Sequence, residues 1–308
     1  MTDLDAPKFE KISELWFEDG TITIRVEHAE FRVYGGILAA RSSVFKDMLS
    51  FPQPQPPTKI DILKGSTPSI SLQDSVGDVH VFLSSIFDSS FFEPRLATVD
   101  LSVVLAISRM ADKYDVPYLL QRALAHLADF YPRSLEDWDN RKRVGRLESL
   151  SDLDDDMSVL QTALRINATE ILPIAFYASA RHDLDRIINH RRWSHIREDY
   201  RFRFLVGYVN QSLACRAMHT FLHLSAVDGC TSPPACQRGL QFYTKHSHIW
   251  PKQDPLEAWS GWGCLYLDVC TACFTACKEK HKAGRQKFWD GIPVIFGFPG
   301  AGEGEELH

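Results

Sequence analysis

Apolar residues occupy every second position in two short segments near the start of the chain, residues 21–27 and 30–34. A period of two is typical of strands that bury one face. The pattern therefore predicts two strands with a turn at residues 28–29. The positions predicted to face inward are Ile22, Ile24, Val26, Phe31 and Val33.

Helical spacing begins directly after the second of these strands. Residues 37–40 suit a short helix, and Ser42 is a plausible N-cap for a helix over residues 43–49. The proline-rich segment at 51–57 cannot be helical. It is interpreted as an extended spacer, with a proline-motif docking peptide as the alternative. A short strand is predicted at residues 70–72.

The N-terminal pattern ends with an amphipathic helix and a helical hairpin that breaks at Pro117. The apolar positions of the first helix are Val79, Phe82, Leu83, Ile86 and Phe87. Those of the hairpin are Val103, Val104, Ile107, Met110, Ala111 and Tyr114, then Leu119, Leu120, Ala123, Leu124 and Leu127. These elements predict a small sheet flanked by helices.

This succession of elements resembles the BTB/POZ domain. The resemblance is carried by residues 31–49, FRVYGGILAARSSVFKDML, and by residues 110–116, MADKYDV. Ile86 and Phe87 lie where the family usually has a helix that ends in Ile-Tyr, and Tyr34 lies where it commonly has histidine. The resemblance covers somewhat less than half of the chain. It implies a protein-binding fold without catalytic chemistry.

The rest of the chain is predicted to be mostly helical, so the expected fold class is α+β. Between residues 159 and about 224 the apolar positions follow helical spacing, with Pro173 near the start of one helix. Four regions are predicted. Residues 1–132 form the BTB-like domain with an N-terminal segment, and 133–225 form a linker and helical region. Residues 226–299 form a cysteine-bearing helical region, and 300–308 form a disordered tail.

The C-terminal half is similar to that of a set of BTB proteins from mushroom-forming fungi. In that set a BTB domain precedes a helical region with an Ile-Leu-Pro-x-Ala-x-Tyr-like helix and a cysteine-bearing tail. Residues 171–177 and 230–289 are the matching parts here. This second resemblance implies an arrangement of domains rather than an activity.

The charge balance excludes some classes of function. The 308 residues carry a net charge of -6 at pH 7, and the pI is about 6.1, which argues against a general nucleic-acid binder. With no membrane-spanning apolar run and no signal peptide, an intracellular location, cytoplasmic or nuclear, is expected. The basic residues at 141–146 and the acidic run at 152–156 are interpreted as a solvated linker with local charge pairing, with a nuclear-import signal on the basic residues as the alternative. A phosphate or nucleic-acid contact at residues 191–193 is disfavoured by the surrounding acidic balance.

All seven cysteines lie between residues 215 and 277, and their spacing suggests a metal site. Cys270 and Cys273 form a C-x-x-C step, while Cys230 and Cys236 flank a Thr-Ser-Pro-Pro-Ala loop. Two thiolates at C-x-x-C spacing reach one ion, and structural zinc takes four nitrogen or sulfur ligands in a tetrahedron. The tail is therefore a candidate zinc-binding region.

One straight helix cannot supply all the ligands of such a site. Cys270 and His281 would lie about 16 Å apart along the axis at 1.5 Å per residue. A closed site would instead join a loop to the terminal helix and would be structural. In the alternative interpretation the cysteines are small buried apolar residues. The predicted ligand set is Cys230, Cys236, Cys270 and Cys273, with Cys277 or His281 as a substitute.

The sequence contains no complete enzyme motif, so a non-enzymatic protein is expected. The triplet at 28–30 matches half of a zinc deaminase motif, but Val269 stands before Cys270 where that motif needs proline. The glycines at 300–304 lack the helix and the Lys-Ser/Thr pair of a phosphate loop. A metal-dependent enzyme in the tail, with Glu257 or Glu279 as acid or base, is the remote alternative.

The BTB resemblance implies a protein–protein interaction module that forms a homodimer or recruits a partner. Two functions are compatible with such a module. One is a substrate adaptor of a cullin-type ubiquitin ligase, and the other is a scaffold or transcription-related factor that needs a separate DNA-binding partner. Many adaptors have a hydrophobic-x-Glu contact sequence after the helix that ends here near Leu49. This chain has the proline-rich segment 51–57 at that place, which disfavours the cullin interpretation. Val44 and Phe45 are better explained as core. The predicted interface residues are Leu15, Trp16, Phe17 and Met48.

Overall fold

The computed structural model describes residues 9–50, 67–93, 99–140, 152–224, 227–246, 254–257 and 259–299. These residues form a small mixed sheet near the N-terminus and a mostly helical remainder, so the predicted α+β class is confirmed. The chain divides into two compact units, Met1–Asp129 and Phe130–His308. The proline-rich segment at 51–57, the basic cluster at 141–146 and the tail at 300–308 lie outside the described residues.

The sheet of the first unit has the order β1-β3-β2-β4. Its strands are β1 (Glu10–Trp16), β2 (Ile22–Val26), β3 (Ala29–Val33) and β4 (Ser69–Leu72). β2 and β3 are antiparallel, whereas β1 runs parallel to β3 and β4 runs parallel to β2. All five positions predicted to face inward from β2 and β3 are buried, so the alternation was interpreted correctly.

β1 was not predicted as a strand, because its sequence shows no clear apolar alternation. Most of its residues are exposed, and only Leu15 is buried. An edge strand that leaves both faces partly in water has no need for a continuous apolar side. Its place in the sheet comes from backbone pairing with β3, which the side-chain pattern does not reveal.

Helices pack on this sheet, and their contacts define the core of the first unit. The described helices are α1 (Gly35–Arg41), α2 (Ser43–Ser50), α3 (Val76–Phe87), α4 (Leu101–Lys113) and α5 (Pro117–Phe130). The rings of Phe45 and Tyr114 stack at 4.8 Å, and the Phe82 ring lies 5.6 Å from Tyr114. These three aromatic residues therefore join α2, α3 and the end of α4.

Ser42 is the N-cap of α2, as predicted. Its Oγ accepts a hydrogen bond from the Phe45 backbone N–H at 3.0 Å and donates one to the Tyr114 carbonyl. The hydroxyl thus satisfies one N–H group that the start of a helix leaves open. Because Ser42 is buried, it also ties α2 to the C-terminus of α4.

The second unit is a set of helices joined by short connections. The described ones are α6 (Leu135–Asn140), α7 (Leu153–Arg165), α8 (Leu172–Ser179), α9 (Leu184–Ile188), α10 (Glu198–Ala217), α11 (Pro233–His246), α12 (Trp262–Asp268) and α13 (Thr271–Ile295). Pro173 lies in the first turn of α8, where its missing N–H costs no hydrogen bond. The helical pattern predicted for residues 159–224 is confirmed. None of the described helices is long and apolar enough to cross a membrane.

The basic residues at 190–192 contact an acidic side chain at the start of α7. Arg191 Nη2 lies 2.9 Å from Asp154 Oδ1, and His190 Nε2 lies 3.2 Å from the same oxygen. These contacts lower the pKa of Asp154, although burial opposes the shift. Local charge pairing therefore accounts for this cluster without a phosphate ligand.

Replacing Ser42 with alanine should destabilise the first unit, because the Phe45 N–H and the Tyr114 carbonyl lose their common partner. We expect the free energy of unfolding to fall by about 1–3 kcal/mol. Urea unfolding of the full chain measures the loss, and hydrogen exchange over residues 22–50 assigns it to this unit. Ser50→Ala is the control, because it removes an exposed hydroxyl at the end of the same helix. Equal losses in the two variants would contradict the capping role.

Candidate metal centre

Four cysteine side chains converge in the second unit. The Sγ atoms of Cys230, Cys236, Cys270 and Cys273 all lie within 4.8 Å of one another, and Cys230 Sγ is 3.8 Å from Cys270 Sγ. All four are free thiols. A tetrahedral zinc ion with Zn–S distances of about 2.3 Å places its sulfur ligands about 3.8 Å apart. The arrangement thus has the dimensions of a site for a single ion.

The first pair of cysteines comes from a turn and the helix that follows it. Gly229 has a φ of +79°, a conformation that residues with a Cβ rarely adopt, and its turn leads into Cys230. The Cys230 N–H donates to the Val227 carbonyl at 3.1 Å. Cys236 lies in the first turn of α11, whose opening proline residues suit a helix N-terminus. This local structure brings both sulfur atoms into the cluster.

The second pair comes from the start of α13. Cys270 is the N-cap of this helix, and Cys273 lies one turn later on the same side. Two helix N-termini, those of α11 and α13, therefore meet at the cluster. The partial positive charge of a helix N-terminus stabilises a thiolate, so this position favours ionised cysteine.

Backbone N–H groups strengthen this preference at Cys270. The N–H groups of Cys273 and Thr231 point at its sulfur and lower the pKa of that thiol to about 6. Burial has the opposite effect on Cys236 and Cys273, whose thiol pKa values are raised. The Cys270 N–H donates to Cys236 Sγ at 3.2 Å. A cation at the centre would favour the thiolate form of all four residues, because metal binding deprotonates its thiol ligands.

The two substitute ligands, Cys277 and His281, lie outside the cluster. Cys277 is fully buried among apolar residues, and this burial raises its thiol pKa to about 11. The His281 ring packs edge-on against Phe221 and Trp262, with ring centres 4.9 and 5.3 Å away. Both side chains therefore belong to the core beside the cluster, and the preferred ligand set is the one that the structure brings together.

An apolar core surrounds the cysteines and holds the contributing helices together. A Cβ on Gly239 would lie 2.8 Å from the Asp268 carbonyl oxygen, so α11 passes directly against the end of α12. The Tyr243 hydroxyl donates to Asp268 Oδ2 at 2.6 Å at the same place. Further buried members of this core are Phe221, Leu222, Leu240, Trp259, Leu265 and Val269.

The predicted interface residues differ in exposure. Leu15 is buried in the core of the first unit, so it offers no surface while β1 keeps its place in the sheet. Trp16, Phe17 and Met48 are half-buried. Phe45 is fully buried, in agreement with its interpretation as core. Of the four predicted interface residues, Trp16, Phe17 and Met48 therefore keep part of their side chains accessible.

A buried polar network in the second unit escaped the sequence analysis. Asp156 accepts a hydrogen bond from the Tyr131 hydroxyl at 2.9 Å and lies 2.8 Å from His182 Nε2. Arg181 reaches Asp156 at 3.7 Å and Asp254 at 3.4 Å. This guanidinium therefore lies between two carboxylates, and the network joins α7 and the turn after α8 to residue 254.

The acidic run at 152–156 was interpreted as solvated, and for Asp156 this was wrong, since its exposure is 2%. The position of Asp156 within the apolar pattern of its helix indicates that it is buried. Residue 156 shares a helical face with Val159, Leu160 and Ala163, which are all buried. A carboxylate on an apolar face predicts a buried partner, because an unpaired buried charge is too costly.

No protein family matches the chain, and no curated protein is significantly similar to it in sequence.

Protonation of His281 should destabilise the second unit. Burial, with smaller effects of Arg285 and His219, lowers the pKa of His281 from 6.5 to about 4. Between these values the unfolded chain binds a proton that the folded chain does not, so stability falls as the pH drops through this window. His281→Phe should reduce this fall in urea unfolding at pH 7, 5.5 and 4.5. His195→Phe, at an exposed histidine, is the control. Identical pH profiles for His281→Phe and the wild type would contradict the assignment.

Proposed function

We propose that the chain is a non-enzymatic protein-interaction protein whose second unit is stabilised by one structural zinc ion. The observation that carries the metal proposal is the set of four free thiols within 4.8 Å of one another. They come from two segments that lie more than 30 residues apart in sequence, and two of them are buried. The cluster is small enough for a single ion and offers four sulfur ligands, and zinc prefers such a site.

The ligand count supports a structural rather than a catalytic ion. A catalytic zinc keeps one coordination position open for water or substrate, and four thiolates would fill a tetrahedron. The candidate acid or base Glu279 is exposed on α13, six residues beyond Cys273, or about 9 Å along the axis. The role supported best is a staple that joins the turn before α11 to the start of α13.

The interaction role rests on the first unit. Its order of elements, with a strand pair, two short helices, a further strand and a helical hairpin, supports the BTB-like interpretation of the sequence. That interpretation implies self-association, and the half-buried apolar residues Trp16, Phe17 and Met48 are available for it. We propose that the first unit forms a homodimer through this surface.

Serine in place of Cys273 should abolish zinc binding, because three thiolates and a hydroxyl hold zinc far more weakly than four thiolates. Metal analysis of the purified full chain should find about one zinc per wild-type chain and less than a tenth of that in the variant. Cys264→Ser, at an exposed cysteine outside the cluster, should keep the full amount.

Removal of the metal with a chelator provides a second test of the same site. Removal of zinc from the wild type should increase hydrogen exchange in residues 227–246 and 262–277, because the cation no longer stabilises the buried thiolates. X-ray absorption of the zinc-loaded chain should show four sulfur ligands. A nitrogen or oxygen ligand, iron in place of zinc, or less than half an equivalent of metal would contradict the proposal.

Glutamate at position 48 should disrupt self-association of the first unit, because it places a charge in an apolar contact. The mass of full-length Met48→Glu, measured by light scattering at micromolar concentration, should fall to half that of the wild type. Lys46→Glu is the control, at an exposed position on the same helix. An unchanged mass for Met48→Glu would contradict this surface.

A further inference from the structure

The four cysteines of the candidate metal centre differ in their access to solvent. Cys230 and Cys270 are partly exposed, whereas Cys236 and Cys273 are each only 3% exposed and belong to the surrounding apolar core. Oxidation of a cysteine depends on access to its sulfur as well as on its thiolate form. A small oxidant in solution therefore reaches the first two sulfur atoms before the second two.

The two accessible sulfur atoms are also neighbours. Cys230 Sγ lies 3.8 Å from Cys270 Sγ, although the two residues are 40 positions apart in the sequence. A disulfide bond holds its sulfur atoms about 2.05 Å apart, so this pair would have to approach by about 1.8 Å. The separation suits two ligands of one ion, and a modest movement converts it into the separation of a disulfide.

The backbone at these two residues permits such a movement. Cys230 lies in the turn that follows Gly229 and precedes α11. Cys270 is the N-cap of α13 and has extended backbone, with φ at -69° and ψ at 163°. Because neither residue lies inside a helix, rotation of the side chains and a shift of the turn can join the sulfur atoms while both helices stay formed. Cys236 and Cys273, in contrast, lie within α11 and α13.

A bound zinc ion and a disulfide at this pair exclude each other. Zinc holds its ligands as thiolates, which is the form that peroxides oxidise. A disulfide between Cys230 and Cys270 removes two of the four ligands. Cys236 and Cys273 then supply only half of a tetrahedral site, which is too few ligands to retain the ion.

We propose that Cys230 and Cys270 form a peroxide-sensitive disulfide whose formation expels zinc from the cluster. This inference rests on the zinc site proposed above and adds an oxidised, metal-free state to it. The accessible pair reacts, and the buried pair loses its metal as a consequence.

The reaction takes two steps, written here for hydrogen peroxide. One accessible thiolate attacks a peroxide oxygen, so that an S–O bond forms, the O–O bond breaks and hydroxide leaves. The other thiolate attacks the sulfur of the resulting sulfenic acid, so that the S–S bond forms, the S–O bond breaks and a second hydroxide leaves. The two sulfur atoms lose two electrons and the peroxide gains them. Zn²⁺ departs, and the two remaining thiolates take up protons from water.

The test is treatment of the zinc-loaded full chain with hydrogen peroxide in the presence of a zinc-indicator dye. About one zinc per chain should be released, and the thiol count of the denatured chain should fall from seven to about five. Peptide mapping should identify the new bond as Cys230–Cys270. Dithiothreitol, a dithiol reductant, together with added zinc should restore both the thiols and the metal. Cys264→Ser, at an exposed cysteine outside the cluster, is the control and should release zinc to the same extent.

The zinc content before treatment separates the two proposals. Less than about half an equivalent at that stage contradicts the zinc site itself, and the peroxide response falls with it. A full zinc content that peroxide leaves unchanged overturns the peroxide response alone. Release accompanied by a Cys270–Cys273 bond, or release that is lost in Cys264→Ser, also overturns the assigned pair and leaves the zinc site standing.

Discussion

The second unit depends on two opposing effects on the charge of its cysteine sulfur atoms at the N-termini of α11 and α13. The N-termini of α11 and α13 favour negative charge on the cysteine sulfur atoms, whereas burial opposes it at Cys236 and Cys273. A divalent cation would resolve this conflict, because it would offset the charge of the thiolates and replace the water that burial removes. Without one, a thiolate at Cys270 would share a small space with thiols that resist ionisation. The close passage of Gly239 by the Asp268 carbonyl leaves no space for a side chain between α11 and the end of α12.

Helix α13 links this cluster to the packing of α10. It runs for 25 residues, roughly 38 Å, from the cysteine cluster at its start to Phe296 directly after its end. Phe296 lies against Gly207 and so helps to set the rotation of α10 about its own axis. A cation bound at the start of α13 would therefore restrict the helix that leads to the Phe296 contact with α10. Loss of order at the cysteines would reach α10 through this one element.

Sequence reasoning succeeded where apolar periodicity is strong and contacts are local. The alternation in β2 and β3 and the cap at Ser42 belong to this class. The cysteine set was also accessible, since axial distance along one helix excludes His281 as a partner of Cys270. β1 was missed because both of its faces are partly exposed, and Asp156 because acidic runs are usually solvated. The exposed apolar face of α10, formed by Phe202, Val206, Val209 and Leu213, was missed because Phe204 and Tyr208 make the opposite face equally apolar, so no single stripe stands out.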